Sequence, residues 1–195
     1  MTTLVSHAVD DDLPALAPIE DAADRLFVDA YVPEAERPDW YGAPSGHQRA
    51  SAPGFMLVAR ESADGPVVGF VHVLEPAGLA HLEQLSVRPE LGRRGHGRAL
   101  VEAALSEAAA RGHRAITLRT YAEIPFNAPF YRSCGFEVSR PGSPFLRRLV
   151  EAEQEQGLMR YGTRVQMTAH LPFPHGDSPA DQSAARGSTS TATCR

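Results

Sequence analysis

Two periods of apolar residues alternate along this chain, and together they predict a mixed α/β fold. Runs with apolar residues at every second position predict strands, and stretches with apolar residues three or four positions apart predict helices. The predicted strands are TLVSHAV, FMLVAR, VVGFVHVL, AHLEQLSV, RAITLRT, FEVS and TRVQMTAHL. The predicted helices are Leu13–Val32, Gly95–Arg111, PFNAPFYRSC and Leu146–Gln156. Strands outnumber the helices available to connect parallel neighbours, so we expect a mixed sheet rather than a purely parallel one.

Turn residues divide the first half of the chain. The segment ADGP separates Phe55–Arg60 from Val67–Leu74, and it predicts a hairpin between these two strands. The stretch Pro33–Gly54 is rich in Pro and Gly and contains Trp40 and Tyr41. This composition predicts mainly a surface loop, with room for a short helix.

The strand AHLEQLSV has an irregular apolar pattern. Its apolar positions Leu82, Leu85 and Val87 are spaced by three and then by two residues, whereas a regular half-buried strand keeps a spacing of two. The pattern is consistent with an ordinary irregular strand or with a β-bulge near Gln84. Spacing alone does not separate these two interpretations.

Length and composition set the expected domain organisation. The chain has 195 residues, of which 43% are hydrophobic, and this is enough for one core and one domain. The C-terminal segment PFPHGDSPADQSAARGSTSTATCR contains no Leu, Ile or Val and is rich in Ser, Thr, Ala and Pro. Such a composition buries too little apolar surface to offset the entropy of ordering the chain. We therefore expect one folded domain over residues 1–171 and a disordered tail over residues 172–195.

The charge balance disfavours several classes of partner. The formal net charge is −5, so no global basic field favours a nucleic acid or an anionic membrane. All 19 basic residues are arginines, which removes every mechanism that needs a lysine, such as a Schiff base or a Walker loop. The N-terminus lacks a basic segment followed by an apolar run, and no apolar run is long enough to span a bilayer. We therefore expect a cytoplasmic protein.

The spacings of the cysteines and histidines do not match the known patterns of redox or metal sites. Cys134 lies in a predicted helix and Cys194 in the polar tail, so a disulfide framework is not expected. Cys134 is interpreted as a core residue, because no histidine stands at a spacing that would activate it. Neither CxxC nor HExxH occurs, and no metal site is expected.

The segment GRRGHGRAL joins a strand to a helix and has the composition of an anion site. The first N–H groups of a helix lack intrahelical acceptors, and the helix dipole adds positive charge at that end. Gly95 and Gly97 would let a phosphate approach the backbone, and Arg93, Arg94 and Arg98 would add charge-assisted hydrogen bonds. The Walker pattern and the GxGxxG pattern are absent. Because the basic residues are confined to one turn, a nucleic-acid surface is disfavoured.

The longer segment LEQLSVRPELGRRGHGRALVEAAL resembles the acetyl-CoA-binding motif of the GCN5-related N-acetyltransferase (GNAT) superfamily. That motif runs from a strand through Val-x-Pro to Gln/Arg-x-x-Gly-x-Gly/Ala and a helix. The matching residues are Val87, Pro89, Gly95 and Gly97. The chain departs from the motif at Gly92, where Gln or Arg is usual, and at His96, where an aliphatic residue is usual.

A second segment, IPFNAPFYRSCGFEV, resembles the later motif of the same superfamily, an Asn followed by an aromatic pair and Gly-Phe. The matching residues are Asn127, Phe130, Tyr131, Gly135 and Phe136. Two motifs in this order are more specific than either one alone. The resemblance is strong over His81–Val138 and extends by the order of elements over Leu4–Leu171.

The resemblance implies a fold, a reaction and a cosubstrate. The fold is a GNAT acyl-CoA N-acyltransferase domain over residues 1–171, with a central mixed, mostly antiparallel sheet of about seven strands flanked by helices. The reaction is the transfer of an acetyl group from acetyl-CoA to a primary amine by direct attack. The residues implied to bind acetyl-CoA are Leu85, Ser86, Val87, Arg93, Arg94, Gly95, His96, Gly97, Arg98, Asn127 and Phe130.

Tyr131 is the residue that the resemblance assigns to the departing thiolate. A tyrosine has a pKa of about 10 and a thiol one of about 8.5, so complete proton transfer is uphill by roughly 2 kcal/mol. We therefore expect Tyr131 to donate a hydrogen bond to the sulfur, unless its pKa is lowered. Asn127 is expected to bind the pantetheine arm, to cap its helix, or both. The backbone N–H of Leu85 or of a neighbour is implied to stabilise the oxyanion.

Glu83 is the candidate general base for the amine, because it lies on the strand that leads into the acetyl-CoA motif. A free carboxylate, with a pKa of about 4.3, is a weak base toward an ammonium, so action through a water molecule is expected. Burial between apolar neighbours would raise the pKa of Glu83 toward the working range. His81, whose ordinary pKa is near 6.5, is the alternative base.

The acceptor pocket is weakly marked in the sequence. The candidates to line or cover it are aromatic, namely Phe27, Tyr31, Trp40 and Tyr41. Arg119 or Tyr121, at the end of RAITLRT, would reach into it. Nothing predicts an extended peptide groove, so a small-molecule amine is favoured over a protein. An acyl-CoA-binding sensor with little catalysis is the alternative function, nucleic-acid binding through the arginine turn is a poorer third, and homodimer formation is left open.

Overall fold

The strands and helices occur in the predicted order. A computed structural model describes residues 2–34 and 42–172. Its strands are β1 (Leu4–His7), β2 (Gly54–Arg60), β3 (Gly69–Leu74), β4 (Ala80–Val87), β5 (Ala115–Tyr121), β6 (Glu137–Ser139) and β7 (Arg164–His170). Its α-helices are α1 (Leu13–Tyr31), α2 (Gly46–Ala50), α3 (His96–Ala110), α4 (Ala128–Ser133) and α5 (Pro144–Glu155).

The strands form one open seven-stranded sheet in the order β1-β2-β3-β4-β5-β7-β6. The β4–β5 pair is parallel, and the other neighbouring pairs are antiparallel. The prediction of a mixed, mostly antiparallel sheet is therefore confirmed. β2 and β3 pair from Gly54↔Leu74 to Ala59↔Gly69, so the predicted hairpin is confirmed as well.

Helices cover both faces of the sheet because each carries an apolar stripe. On one face α3 packs through the stripe visible in its sequence, Leu100, Val101, Ala104 and Ala108. On the other face α1 packs through Leu13, Leu16 and Ile19. The two helices therefore enclose the centre of the sheet, with α1 and α3 on opposite sides of β4.

A β-bulge interrupts β4 where the apolar spacing is irregular. Val73 pairs with Leu82 and His72 pairs with Gln84, so Glu83 is an extra residue without a partner on β3. The bulge lies one residue from the position that the spacing indicated. Because of the extra residue, Leu82, Leu85 and Val87 all pack against the core on the α3 side. Of the two interpretations of this strand, the bulge is the correct one.

Local capping explains why α5 begins earlier than predicted. α5 begins at Pro144, before the predicted Leu146, because the Ser143 side chain accepts a hydrogen bond from the Leu146 N–H at 3.2 Å. α2 is the short helix for which the 33–54 stretch had room. Residues 35–41, which include Trp40 and Tyr41, and residues 173–195 of the predicted tail lie outside the described residues.

None of the described helices is both long enough and apolar enough to cross a membrane.

Phe136 tests the packing beneath α4. Its side chain is completely buried, and its ring centroid lies 5.7 Å from that of Tyr131. Phe136→Ala is expected to lower the free energy of unfolding by about 3–5 kcal/mol, because it leaves a cavity under the helix. Val138→Ala, at a position that is 56% exposed, is the matched control and should change it by less than about 0.5 kcal/mol. Chemical denaturation measures both, and equal values for the two variants would contradict the packing.

Candidate active site

A cleft opens where β4 and β5 separate. Their parallel pairing runs from Ala80↔Ile116 to Leu82↔Leu118, although both strands continue beyond these residues. The resulting cleft has a volume of about 580 Å³. The predicted site residues that line it are Glu83, Leu85, Ser86, Val87, Arg93, Gly95, His96, Gly97, Arg98, Asn127, Phe130 and Tyr131.

The edge of β4 that faces the cleft carries free backbone donors. The Arg88 N–H donates to the Val68 carbonyl at 2.9 Å, on the β3 side. Because the N–H groups of a strand point alternately to its two sides, the Ser86 N–H faces β3 as well. The N–H groups of Leu85 and Val87 therefore face the cleft, where the ladder to β5 has already ended.

The turn between β4 and α3 is shaped to bind an anion. Arg93 and Gly95 have positive φ angles of 59° and 93°, and this conformation turns successive N–H groups toward one side. α3 begins at His96, so its first N–H groups and its dipole act at the same place. The His96 ring is buried, with Nδ1 2.9 Å from the Thr3 hydroxyl. The backbone of His96, rather than its ring, is therefore available to a ligand.

Packing does not explain why residue 97 is a glycine, whereas the binding of a ligand does. Gly97 lies in α3, and a Cβ atom there would lie 3.6 Å from Phe130 and 3.8 Å from Val87, which are ordinary contact distances. Neither the backbone conformation nor the described neighbours therefore require a glycine. The missing side chain leaves room for a phosphate beside the N-terminus of α3. The residues of this turn thus fit the pyrophosphate of a CoA thioester.

The three arginines of the turn have different environments. Arg93 is exposed and lines the cleft. Arg94 does not line it and lies 3.6 Å from Glu61. Arg98 donates to the Ser133 carbonyl at 3.0 Å and to the Ser133 hydroxyl at 2.9 Å, and these bonds tie α3 to the end of α4. Arg93 is therefore the best placed of the three for an anion, and the expected contacts from Arg94 and Arg98 are not preformed.

α4 places the Tyr131 side chain in the cleft. The ring packs between those of Phe130 and Phe136, at centroid distances of 5.2 and 5.7 Å. Among the described residues its hydroxyl has no hydrogen-bond partner, and burial raises the pKa of Tyr131. Asn127 precedes α4 but makes no side-chain capping bond. The expected capping role is therefore wrong, while the Asn127 amide stays available to a ligand.

Glu83, the bulged residue, is held by two basic side chains. Arg49 of α2 donates from Nη1 to Glu83 Oε2, and His72 Nδ1 lies 3.1 Å from the same oxygen. Arg49 also donates from Nη2 to both carboxylate oxygens of Glu20 at 2.6 Å. Burial acts to raise the pKa of Glu83, but the hydrogen bond from His72 and the charge of Arg49 outweigh burial and lower this pKa. The expectation that burial raises it is therefore wrong.

His81, the alternative base, lies outside the cleft. It is buried, its Nδ1 lies 2.9 Å from Thr117 Oγ1, and its ring contacts Phe145 edge to face at 5.5 Å. Burial lowers the pKa of His81 to about 4, so the ring is neutral at pH 7. This environment is that of a core histidine, and it does not support a role as base.

Asp24 is a carboxylate of the cleft wall that the sequence did not single out. It lies on α1, one turn after Glu20, and lines the cleft together with Ala23 and Phe27. Burial and the neighbouring Asp21 raise the pKa of Asp24 to about 6. The spacing of these positions within the predicted helix shows that they share a face. Nothing in the sequence shows that this face meets the bulge of β4.

Aromatic rings form the wall of the cleft beside α1. Phe27 stacks on Tyr121 at a centroid distance of 5.1 Å and on Tyr31 at 5.8 Å. Tyr31 in turn contacts Phe126 edge to face at 5.9 Å. Of these residues, Phe27, Tyr121 and Phe126 line the cleft. The predictions for Phe27 and Tyr121 therefore agree with their positions, whereas Tyr31 contacts the rings of the wall without lining the cleft.

Two arginines complete this wall. Arg119 and Arg164 line the cleft, and both donate to the carboxylate of Glu153 on α5, Arg119 from Nε at 2.8 Å. The Arg164 guanidinium lies 4.6 Å from the centroid of the Tyr121 ring. Glu153 is thus the shared acceptor of two arginines, and these three side chains together carry a net positive charge beside the aromatic rings.

The remaining candidate groups do not contribute to the cleft. Cys134 packs against the core as a partly buried thiol, as its sequence context predicts. Within residues 2–34 and 42–172, no group of three or more His, Cys, Asp and Glu side chains is placed to hold a metal ion.

A comparison with protein families agrees with this geometry. Residues 19–136 match the model of the acetyltransferase (GNAT) family, and this match spans more than half of the chain. This chain belongs to the GNAT family. The matched range includes the bulge, the glycine turn and α4, which build the cleft.

Solved structures of low sequence identity share the GNAT fold of this chain. The ribosomal-protein-S18-alanine N-acetyltransferase from Escherichia coli is 19% identical, with a TM-score of 0.61, and the match covers 91% of this chain and 99% of that one. The PaiA N-acetyltransferase from Thermoplasma acidophilum, in complex with coenzyme A, is 17% identical, with a TM-score of 0.60 and coverages of 88% and 100%. A protein assigned as a streptothricin acetyltransferase from Bacillus anthracis, in complex with acetyl coenzyme A, is 18% identical, with a TM-score of 0.60 and coverages of 88% and 99%.

Gly97→Glu tests the glycine turn as the binding site for CoA. The new side chain would place an anion where the pyrophosphate is expected, so CoA should no longer raise the melting temperature, as it should for the unmodified protein. Gly142→Glu is the matched control, because a Cβ atom at Gly142 meets no atom within 4 Å and the charge change is the same. Retention of the CoA-dependent shift in Gly97→Glu would place the CoA site elsewhere.

Proposed function

We propose that this GNAT protein is an N-acetyltransferase that moves an acetyl group from acetyl-CoA to the primary amine of a small molecule by direct attack. One observation carries the proposal. The opening between β4 and β5 brings an anion-binding turn, free backbone donors, a tyrosine hydroxyl and two carboxylates to one cleft. The turn alone would be enough to bind CoA, and the hydroxyl and the carboxylates are the groups that acetyl transfer to an amine needs in addition.

The donor end of the cleft binds through the backbone. Acetyl-CoA, when bound, supplies the thioester whose carbonyl carbon the amine attacks. The N–H groups of the turn around Gly95 and of the first turn of α3 would hold its pyrophosphate, with Arg93 adding charge. The Asn127 amide and the Phe130 ring, both in the cleft wall, would hold the pantetheine arm.

The free N–H of Leu85 stabilises the negative charge that develops on the carbonyl oxygen during attack. A donor that already points into the cleft needs no reorganisation at the moment of reaction, and such donors contribute about 2.7–4 kcal/mol each in well-studied enzymes. The bulge at Glu83 sets the register of this donor relative to the wall. This assignment follows the implied role of Leu85.

Tyr131 donates a hydrogen bond to the departing sulfur. Burial raises the pKa of Tyr131 above its ordinary value, so the phenol keeps its proton at neutral pH. Complete transfer of this proton to a thiolate is then more unfavourable than the roughly 2 kcal/mol estimated from the ordinary pKa values. The hydroxyl therefore stabilises the thiolate as a donor, and the proton that completes the thiol comes from the amine or from solvent.

Glu83 binds the incoming ammonium as a fixed anion. Arg49 and His72 hold its carboxylate in one orientation and lower its pKa, so it stays ionised through the working pH range. A group with a lowered pKa attracts a cation but is a poor proton acceptor. Glu83 would therefore bind the amine, and a different group would deprotonate it.

The aromatic wall favours an amine carried on an apolar body. Leu26, Phe27, Tyr121 and Phe126 line the cleft, and Leu26 and Phe126 are more than half exposed. Exposed apolar side chains at the rim of a cleft are typical of a binding surface for an apolar group. The carboxylates of Asp24 and Glu83 would then receive the ammonium of the same molecule.

Tyr131→Phe tests the proposed donor. We expect kcat to fall by about 10- to 100-fold, because the departing sulfur loses its hydrogen bond. The affinity for CoA should stay nearly unchanged, because the ring and its packing are retained. Steady-state kinetics and calorimetric titration with CoA measure the two quantities, and an unchanged kcat would remove the assigned role.

An amine panel with a free-thiol readout tests the substrate class. The panel contains phenylethylamine, spermidine and a peptide with an N-terminal alanine, each incubated with the protein and acetyl-CoA. The aromatic amine is expected to give the highest kcat/KM. Activity confined to the peptide would overturn the small-molecule assignment. CoA binding without thiol release for any amine would favour the sensor.

A further inference from the structure

We infer that Asp24, rather than Glu83, is the general base that removes a proton from the acceptor amine. The inference rests on the proposed N-acetyltransferase function, and it assigns a catalytic role to a residue outside both sequence motifs. Its basis is a contrast between two carboxylates that line the same cleft. Glu83 is held through Oε2 by Arg49 and His72, whereas Asp24 has no hydrogen-bond or ion-pair partner among residues 2–34 and 42–172.

The position of Asp24 is set by α1. Asp24 follows Glu20 by one helical turn, and Glu20 lies against Arg49 and through it against Glu83. The face of α1 that carries these acids is therefore turned toward the bulge of β4. Asp24 and Phe27 line the cleft from this face, and Glu83 lines the same cleft from β4.

The carboxylate of Asp24 has free acceptor capacity. Within residues 2–34 and 42–172 it makes no hydrogen bond and no ion pair. Glu83 Oε2, in contrast, accepts from Arg49 and contacts His72 Nδ1. A general base must reach the proton that it removes with a free lone pair. Both oxygens of Asp24 meet this requirement, whereas Glu83 Oε2 is occupied by Arg49 and His72.

Charged groups lie on α1 itself and on the elements that pack against it. Asp21 and Glu20 lie on the same helix, Arg49 on α2, His72 on β3 and Glu83 on β4, and the 3-10 turns at residues 10–12 and 89–91 carry Asp10, Asp11, Asp12 and Glu90. Burial and the like charge of Asp21 raise the pKa of Asp24 to about 6, against the smaller lowering effect of Arg49. Environments that push the pKa values of two neighbouring carboxylates apart give them different roles. Here the two environments make Asp24 the proton acceptor and keep Glu83 ionised.

The proton balance of the reaction closes with this assignment. Asp24 takes one proton from the ammonium, and the nitrogen lone pair so released attacks the carbonyl carbon of the thioester. The C–N bond forms and the C–S bond breaks, with its electron pair leaving on the sulfur, which accepts the hydrogen bond of Tyr131. The second nitrogen proton completes the thiol, directly or through water, and Asp24 returns its proton to solvent.

The pH dependence of kcat/KM tests the assignment. Asp24 must be ionised to act, so kcat/KM of the unmodified protein should rise with pH through about 6 and then level off. Asp24→Asn should lower the plateau by about 100-fold or more and abolish this acidic limb. CoA should still raise the melting temperature of the variant, which shows that it is folded and binds the donor.

Asp21→Asn tests whether the acidic limb of the pH profile reports the titration of Asp24. A merely structural role of Asp24 would leave this limb unchanged in the variant. The Asp21 Oδ1 accepts from the Ala43 N–H at 2.7 Å, and an asparagine retains this acceptor while removing the charge. Loss of the like charge should lower the pKa of Asp24, so the acidic limb should shift to lower pH with the plateau retained. Glu83→Gln should raise KM for the amine and leave the limb in place.

These experiments give different results if the proposed acetyltransferase function is wrong and if only the role of Asp24 is wrong. Absence of acetyl transfer by the unmodified protein to every amine tested would overturn the proposed function. Acetyl transfer that keeps its plateau and its acidic limb in Asp24→Asn would overturn the assignment of Asp24 alone. An acidic limb that is lost in Glu83→Gln instead would return the role to Glu83.

Discussion

The short parallel pairing of β4 with β5 is the constraint on which the rest of this structure depends. The ladder ends at Leu82↔Leu118, but β4 continues to Val87. Backbone donors that lose a partner inside a protein must find another one or remain exposed to solvent or a ligand. The cleft exists because the strands part at this point, and its donors are free for the same reason.

The bulge at Glu83 allows apolar residues with an irregular spacing on β4 to pack on the same face of the sheet. Leu82 must face the α3 side of the core, and so must Leu85 and Val87, yet the first two are three positions apart rather than two. An extra residue in the strand lets all three face the same core, and it directs the charged side chain of Glu83 toward Arg49 on α2. The irregular apolar spacing and the position of the fixed anion therefore have one cause.

The sequence predicts the parts of this molecule that depend on local patterns. The helical stripe of α3, the hairpin of β2 and β3, and the glycine turn before α3 are all formed within short segments, and all could be read from the sequence. The environment of Glu83 could not be predicted, because Arg49 and His72 come from distant parts of the chain and reverse the direction of its pKa shift. Asp24 was missed for a related reason, since its importance depends on how α1 packs against β4.

On the proposed function, the two ends of the cleft would recognise their ligands in different ways, and this difference limits what a motif can reveal. The donor end is built from backbone N–H groups whose placement depends on the positive φ of Gly95 and whose access depends on the missing side chain of Gly97. Few sequences satisfy such requirements, so they leave a visible signature. The acceptor end is built from side chains of α1, β4, β5 and β7. Behind them, Arg49 of α2 is shared by two carboxylates and Glu153 of α5 by two arginines. Many side chains would satisfy the fold at these positions, so on the proposed function their identity is free to specify the acceptor, and the charge balance among them would decide which amine fits.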